Sequence, residues 1–92
     1  MAVLNTGEVR EKLKGLTRWK LADGEIVRET KFADFTAAMK FVNGVASKAE
    51  AAGHHPDIDI RYNKVRLALV SHDAGGLTQK DFDLASAIDS LG

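Results

Sequence analysis

Apolar and polar positions alternate with two different periods along the chain, and the changes of period divide it into five segments. Val9, Leu13 and Leu16 recur at helical spacing behind Asn5 and Thr6, either of which can cap a short helix over residues 5–14. Glu8 would sit in its first turn, Lys12 and Lys14 in its last, and Gly15 would stop it. Thr17, Trp19 and Leu21 then alternate with Arg18 and Lys20, which suggests one buried and one wet face with Trp19 in the core. Asp23-Gly24 is a strong turn signal, so residues 17–22 and 25–32 predict a hairpin, although the second run alternates poorly and leaves its register open. Asp34 caps the longest predicted helix, 34–52, whose apolar stripe is Phe35, Met39, Val42, Ala46 and Ala49. Phe41 and Val45 broaden that stripe beyond what a single sheet face needs. Gly44 lies inside this helix, where glycine costs about 1 kcal/mol relative to alanine, and a close backbone approach would account for it. Ile58, Ile60 and Tyr62 alternate with Asp57, Asp59 and Arg61, and Val65, Leu67 and Leu69 with Lys64, Arg66 and Ala68. These two runs predict a second hairpin, 57–62 and 64–71, of half-buried antiparallel strands. A last helix spans 78–91, capped by Thr78 with Asp81 at its third position in a variant of the capping box, and turns Phe82, Ala85, Ile88 and Leu91 inward.

The element order is therefore helix, hairpin, helix, hairpin, helix: an α+β chain forming one domain over residues 1–92. Composition removes several function classes. Without cysteine there is neither a disulfide framework nor a thiolate metal site. With 13 basic and 13 acidic residues, no excess of cations exists to displace counterions, which argues against a nucleic-acid partner. No apolar run approaches membrane-spanning length and the first residues do not read as a signal peptide, so the expected location is cytoplasmic.

The candidate chemistry is concentrated in Glu50-Ala51-Ala52-Gly53-His54-His55-Pro56-Asp57-Ile58-Asp59-Ile60-Arg61-Tyr62, where a helix ends and a strand begins. Pro56 restricts His55 to an extended backbone, so two imidazoles stand at that junction. A turn centred on Asn63-Lys64 pairs Tyr62 with Val65, Ile60 with Leu67 and Ile58 with Leu69, which sets Pro56 opposite Ser71 and His55 opposite His72. A looser turn shifts this register by about one residue. All three histidines then fall at one end of the hairpin, with Glu50 four residues before His54 and Asp81 in the first turn of the helix that follows. Residue types alone leave three readings open. The side chains could be ordinary polar strand ends, with Asp81 only a helix cap. Three histidines and a carboxylate could hold zinc, although adjacent His54 and His55 project to opposite sides of an extended segment. Or the imidazoles could act as metal-free general acids and bases near neutral pH. A Ser71-His72-Asp73 triad fails, because consecutive residues of a strand do not face one another.

Glu50-x3-His54-His55-Pro56, followed by Tyr62, His72 and Asp81, resembles the signature of the pterin-4a-carbinolamine dehydratases, also known as dimerisation cofactors of a homeodomain transcription factor. Tyr62-Asn63-Lys64-Val65, Ser71-His72-Asp73, Gly76-Leu77-Thr78, Gly15…Trp19 and Phe32…Asp34-Phe35 resemble neighbouring family segments; Ile58 departs, since many members carry an aromatic there. The resemblance implies a four-stranded antiparallel sheet with three helices on one face. It implies a lyase that takes water from 4a-hydroxytetrahydropterin to give quinonoid dihydropterin, recycling the tetrahydropterin (tetrahydrobiopterin) used by an aromatic amino acid hydroxylase. No metal and no cofactor are implied. His54 and His72 would transfer protons, His55 would position, and Glu50, Asp81, Pro56, Asp57 and Ser71 would orient the imidazoles or bind the pterin. A homodimer or homotetramer is implied as well. The alternative carried by the same family is a protein-binding cofactor that stabilises a partner's dimer.

Overall fold

The computed structural model describes residues 2–91. The chain runs α1 (Thr6–Leu13), β1 (Lys20–Ala22), β2 (Glu25–Lys31), α2 (Phe35–Ala52), β3 (Asp57–Arg61), β4 (Lys64–Leu69) and α3 (Gln79–Asp89), with a short 3-10 turn at His72–Ala74. Local chemistry sets the helix ends. Asn5 and Glu8 form a reciprocal capping box at the start of α1, each side chain accepting the other's backbone N–H. The Asp34 carboxylate accepts from the Ala37 N–H at 2.8 Å and starts α2. Gly53 ends it in the left-handed region at φ 62, with its N–H turned back to the carbonyls of Ala49 and Glu50. A Cβ at Gly53 would meet nothing within 4 Å. Gly53→Ala should therefore cost about 1 kcal/mol through backbone conformation alone, read as a fall in Tm of roughly 4–8 °C.

The four strands form one antiparallel sheet in the order β1-β2-β4-β3. Alternation assigns its faces. Ile26, Val65, Leu67 and Leu69 turn to the helices and join Val9, Val42, Val45, Phe82, Leu84 and Ile88 in one buried cluster. Lys20, Glu29, Lys31, Lys64, Arg66, Asp59 and Arg61 line the opposite, open face. The α+β architecture with three helices on one face of a four-stranded sheet is thus observed. The helices cover the central pair β2 and β4 more fully than the edges, so Ile58 and Ile60 of β3 remain 37% and 36% exposed although they face the helix side.

Several boundaries differ from the sequence expectation. The first strand begins at Lys20, and Thr17 and Trp19 precede it; Trp19 is buried all the same, while Leu21 on the edge strand is exposed. In α2 the buried face is Ala38, Phe41, Val42, Val45 and Ala49, with Phe35 and Ala46 exposed. The stripe is rotated because α2 packs against both β4 and α3. Phe41 and Val45 belong to the core and are not surplus surface for a partner. What approaches Gly44 is a side chain and not the backbone expected: a Cβ there would lie 3.1 Å from Leu91 Cδ1. Leu91 itself lies beyond the end of α3 and is exposed.

The second hairpin pairs Ile58 with Leu67 and Ile60 with Val65, two residues earlier on β4 than expected. The turn is Tyr62-Asn63, with Tyr62 at φ 54. Asn63 fixes it there: its side-chain amide donates to the Phe32 carbonyl at 2.8 Å, and the Phe32 N–H donates to the Asn63 carbonyl at 2.8 Å. An even shift keeps every side chain on its expected face, since strand side chains repeat every two residues.

A buried charge ties the sheet to α3. Arg28, 2% exposed, donates from Nη1 to Asp89 Oδ1 at 2.8 Å and from Nε to Thr30 Oγ1 at 3.1 Å. Its guanidinium lies 4.8 Å from the centre of the Phe41 ring. Burial pulls the Arg28 pKa below its usual value, Asp89 opposes that, and Arg18 adds to it. Asp89 Oδ1 also accepts from Trp19 Nε1 at 2.9 Å. Among the described residues no helix is long and apolar enough to cross a membrane.

Candidate active site

Three backbone devices bring the candidate residues together. The chain leaves α2 through Gly53, and the His54 N–H returns to the Ala49 carbonyl at 3.2 Å, which points the following residues toward the sheet. Continued outward, the register of β3 against β4 sets His54 across from Ser71. Ser71 in turn pairs with Gly76, closing the loop that carries His72, and Thr78 stands at the N-cap of α3 two residues later.

Asp81 is the centre of the resulting network. It has no exposed surface. Its Oδ1 meets His54 Nε2 at 2.5 Å, and its Oδ2 accepts from Ser71 Oγ at 3.0 Å and from the Thr78 N–H at 2.9 Å. Ser71 Oγ and Thr78 Oγ1 lie 2.8 Å apart. A carboxylate taken out of water needs such partners, because a buried charge without hydrogen bonds is strongly disfavoured. The His54 ring keeps 12% of its side-chain surface open to solvent. The arrangement is an imidazole held in one orientation by a buried anion, with a limited opening on its other side.

His55 and Glu50 form a separate pair through His55 Nε2 and Glu50 Oε2. Both side chains are mostly exposed, so the pair contributes little to stability and sits where a ligand can reach it. His72 opens the 3-10 turn, is exposed, and makes no side-chain hydrogen bond among the described residues. It lines an open cleft of about 440 Å³ with Asp23, Gly24, Glu25 and Gly76. Pro56 is half-buried, and Asp57 is exposed at the start of β3.

The expectation that His55 faces His72 across the hairpin is corrected by the register shift. His54 and His55 engage different partners, as adjacent residues of an extended segment should. The structure unites His54, Ser71 and Asp81, pairs His55 with Glu50, and sets His72 one residue from Ser71 but outside both hydrogen-bonded sets. The Thr78 hydroxyl belongs to the network and was legible in the sequence only as a helix cap; its Ser71 contact depends on the fold of the loop between them. Among the described residues, no group of three or more His, Asp and Glu is placed to hold a metal ion. The chemistry that this set can perform with its own groups is proton transfer, from one carboxylate-backed imidazole and one free imidazole.

Comparison with known proteins identifies the family. The sequence matches the family described as pterin 4 alpha carbinolamine dehydratase over residues 2–91. A curated relative from Acidobacterium capsulatum, named provisionally as a pterin-4-alpha-carbinolamine dehydratase, is 64% identical over 91 residues, covering 99% of each chain. One from Chloroflexus aurantiacus with the same provisional name is 59% identical, covering 99% of this chain and 98% of that one. Among solved structures, a protein from Brucella melitensis described as a transcriptional coactivator/pterin dehydratase superposes with a TM-score of 0.93 at 33% identity, over 98% of both chains. A pterin dehydratase-like protein identified as a RuBisCO assembly factor in the alpha-carboxysome shares the fold, with a TM-score of 0.65 at 20% identity over 80% of this chain and 86% of that one.

Proposed function

The chain belongs to the pterin 4 alpha carbinolamine dehydratase family, and on that premise we propose that it removes water from 4a-hydroxytetrahydropterin by metal-free general acid–base catalysis. The observation that carries this proposal is the nearly buried His54 held by Asp81, with the exposed His72 on the adjoining loop. In the elimination the C4a–O bond breaks as the hydroxyl takes up a proton and departs as water. N5 gives up its proton, and the electron pair of that bond closes the C4a–N5 double bond. One proton is delivered and one removed, so two imidazoles suffice. His54 and His72 exchange these protons. His55 and Glu50 hold the pterin edge, and Asp57 adds a carboxylate where Pro56 directs the chain into β3. The product is a quinonoid dihydropterin, so the reaction belongs after aromatic amino acid hydroxylation, in pterin recycling.

The test is the rate of dehydration of freshly made 4a-hydroxytetrahydropterin, with the spontaneous rate subtracted and a chelator present. Catalysis that persists in chelator is expected. A rate equal to that of buffer alone overturns the proposal, and loss of rate on chelation overturns its metal-free form.

We further propose that the chain self-associates as a dimer or a dimer of dimers. Support comes from the family resemblance and from the exposed Ile58 and Ile60 on the edge strand β3, whose outer backbone groups have no strand partner among the described residues. Light scattering at micromolar concentration should give a mass above the 10.0 kDa of one chain; a lone 10.0 kDa species sinks this assignment.

The dual description of the Brucella protein keeps a second reading in view, a cofactor that binds a protein partner. Such a role needs surface rather than histidines, so loss of dehydration in histidine variants separates the two.

A further inference from the structure

We propose that Thr78 is a positioning residue for the dehydration: its hydroxyl heads a one-way chain of hydrogen bonds that fixes His54 with its proton on Nε2, leaving Nδ1 as the atom that exchanges protons with the substrate. The assignment rests on the dehydratase function proposed above, but its first step follows from donor counting around an ionised Asp81.

Asp81 Oδ2 takes the Thr78 backbone N–H, which can only donate. Ser71 Oγ donates its single hydrogen to the same oxygen. That hydrogen is then spent, so in its contact with Thr78 the Ser71 oxygen can only accept, and the Thr78 hydroxyl must donate. Every bond on this side runs toward the carboxylate, from Thr78 to Ser71 to Asp81. On the other side, Oδ1 of an ionised Asp81 also only accepts, so His54 Nε2 must carry the proton. His54 Nδ1 makes no hydrogen bond among the described residues.

The ring thus has one nitrogen committed to the protein and one uncommitted. Proton traffic through Nε2 would require Asp81 to give up its closest partner, whereas traffic through Nδ1 leaves the whole chain intact. Thr78 contributes by holding Ser71 in the rotamer that donates to Asp81. Without the Thr78 donor, Ser71 Oγ is free to turn away, and the carboxylate loses its restraint opposite the imidazole. Thr78 and Asp81 are fully buried and Ser71 is 2% exposed, so bulk water does not readily replace the missing group.

The test has two parts. In protein carrying ¹⁵N-labelled histidine, at alkaline pH where the rings are neutral, His54 should show a protonated Nε2 and an unprotonated Nδ1. The opposite tautomer overturns the proposal, and this measurement requires neither substrate nor a variant. Thr78→Val removes the hydroxyl at nearly constant shape. It should lower kcat about two- to tenfold, the ratio corresponding to one ordinary hydrogen bond, with KM unchanged, and should draw the two His54 ¹⁵N shifts toward each other. Thr78→Ser should restore both. A valine variant with wild-type kcat and unaltered ¹⁵N shifts overturns the positioning role. If the wild-type protein fails to accelerate dehydration at all, the dehydratase proposal falls. The ¹⁵N response to Thr78→Val then decides the hydrogen-bond chain by itself: shifts that move support it, and shifts that stay overturn it.

Discussion

His72→Ala should slow dehydration of 4a-hydroxytetrahydropterin by about 10²–10⁴-fold, the usual contribution of a positioned acid or base, and should leave the melting temperature where it was. His54→Ala should slow the reaction to a similar degree and lower the melting temperature as well. The contrast comes from burial. His72 stands exposed on a 3-10 turn without a side-chain partner among the described residues, and surface substitutions of that kind change stability by less than about 0.5 kcal/mol. His54 is the closest partner of the fully buried Asp81. Removing it leaves that carboxylate short of a donor at a cost of about 1–3 kcal/mol, or upwards of roughly 4 °C in Tm. Both rates must be measured against spontaneous loss of water. If both variants keep the wild-type rate, the acid–base assignment is wrong and the protein-binding alternative gains.

Asp89→Ala should destabilise the fold although it lies outside the hydrophobic cluster. It removes the Asp89 carboxylate from the Arg28 guanidinium, 2% exposed, and leaves the Trp19 indole N–H without its acceptor. Removing one partner of a buried ion pair costs roughly 3–5 kcal/mol. Asp89 keeps 22% of its side-chain surface, so water can partly replace it, and Arg28 keeps its Thr30 contact, so about 3 kcal/mol is the upper figure. That corresponds to a fall in Tm of up to roughly 12 °C for a chain of this size. Asp89→Asn keeps an acceptor oxygen for both donors and should fall between alanine and wild type. Denaturant melts that place Asp89→Ala within about 0.5 kcal/mol of the wild type would show that the Arg28–Asp89 contact adds nothing to the fold.

Much of the architecture was legible because the relevant signals are local. Asn5, Asp34, Gly53 and Thr78 mark helix ends with side chains or conformations that act over three or four residues, and each is found where it was expected. The failures have tertiary causes. The register of the second hairpin depends on Asn63 holding Phe32, a contact 31 residues long in sequence. The buried face of α2 depends on α3 as well as on the sheet. Arg28 lies in the poorly alternating strand, and its partner Asp89 arrives from the far end of the chain, 61 residues away. At the candidate site, the closeness of His54 and Asp81 followed from helix and strand order. The separation of His55 from His72 did not, because a register error of two residues preserves every face and therefore leaves the hydrophobic pattern unchanged.

Helix ends ordinarily fray, since their first N–H groups lack partners within the helix and open at little cost. The first turn of α3 is not free to do so. Opening it would pull Asp81 away from Thr78, Ser71 and His54 together, and would expose a carboxylate that the folded chain keeps dry. The hydrogen-bonded amides of that turn, Thr78 and Asp81, should therefore exchange with solvent almost as slowly as those of the central strands, rather than at the rate of a frayed end. The coupling should also run in reverse: a molecule that steadies the His54 ring should slow exchange at the start of α3. Protection at the start of α3 becomes a gauge of what occupies the opening beside His54, readable without following any turnover.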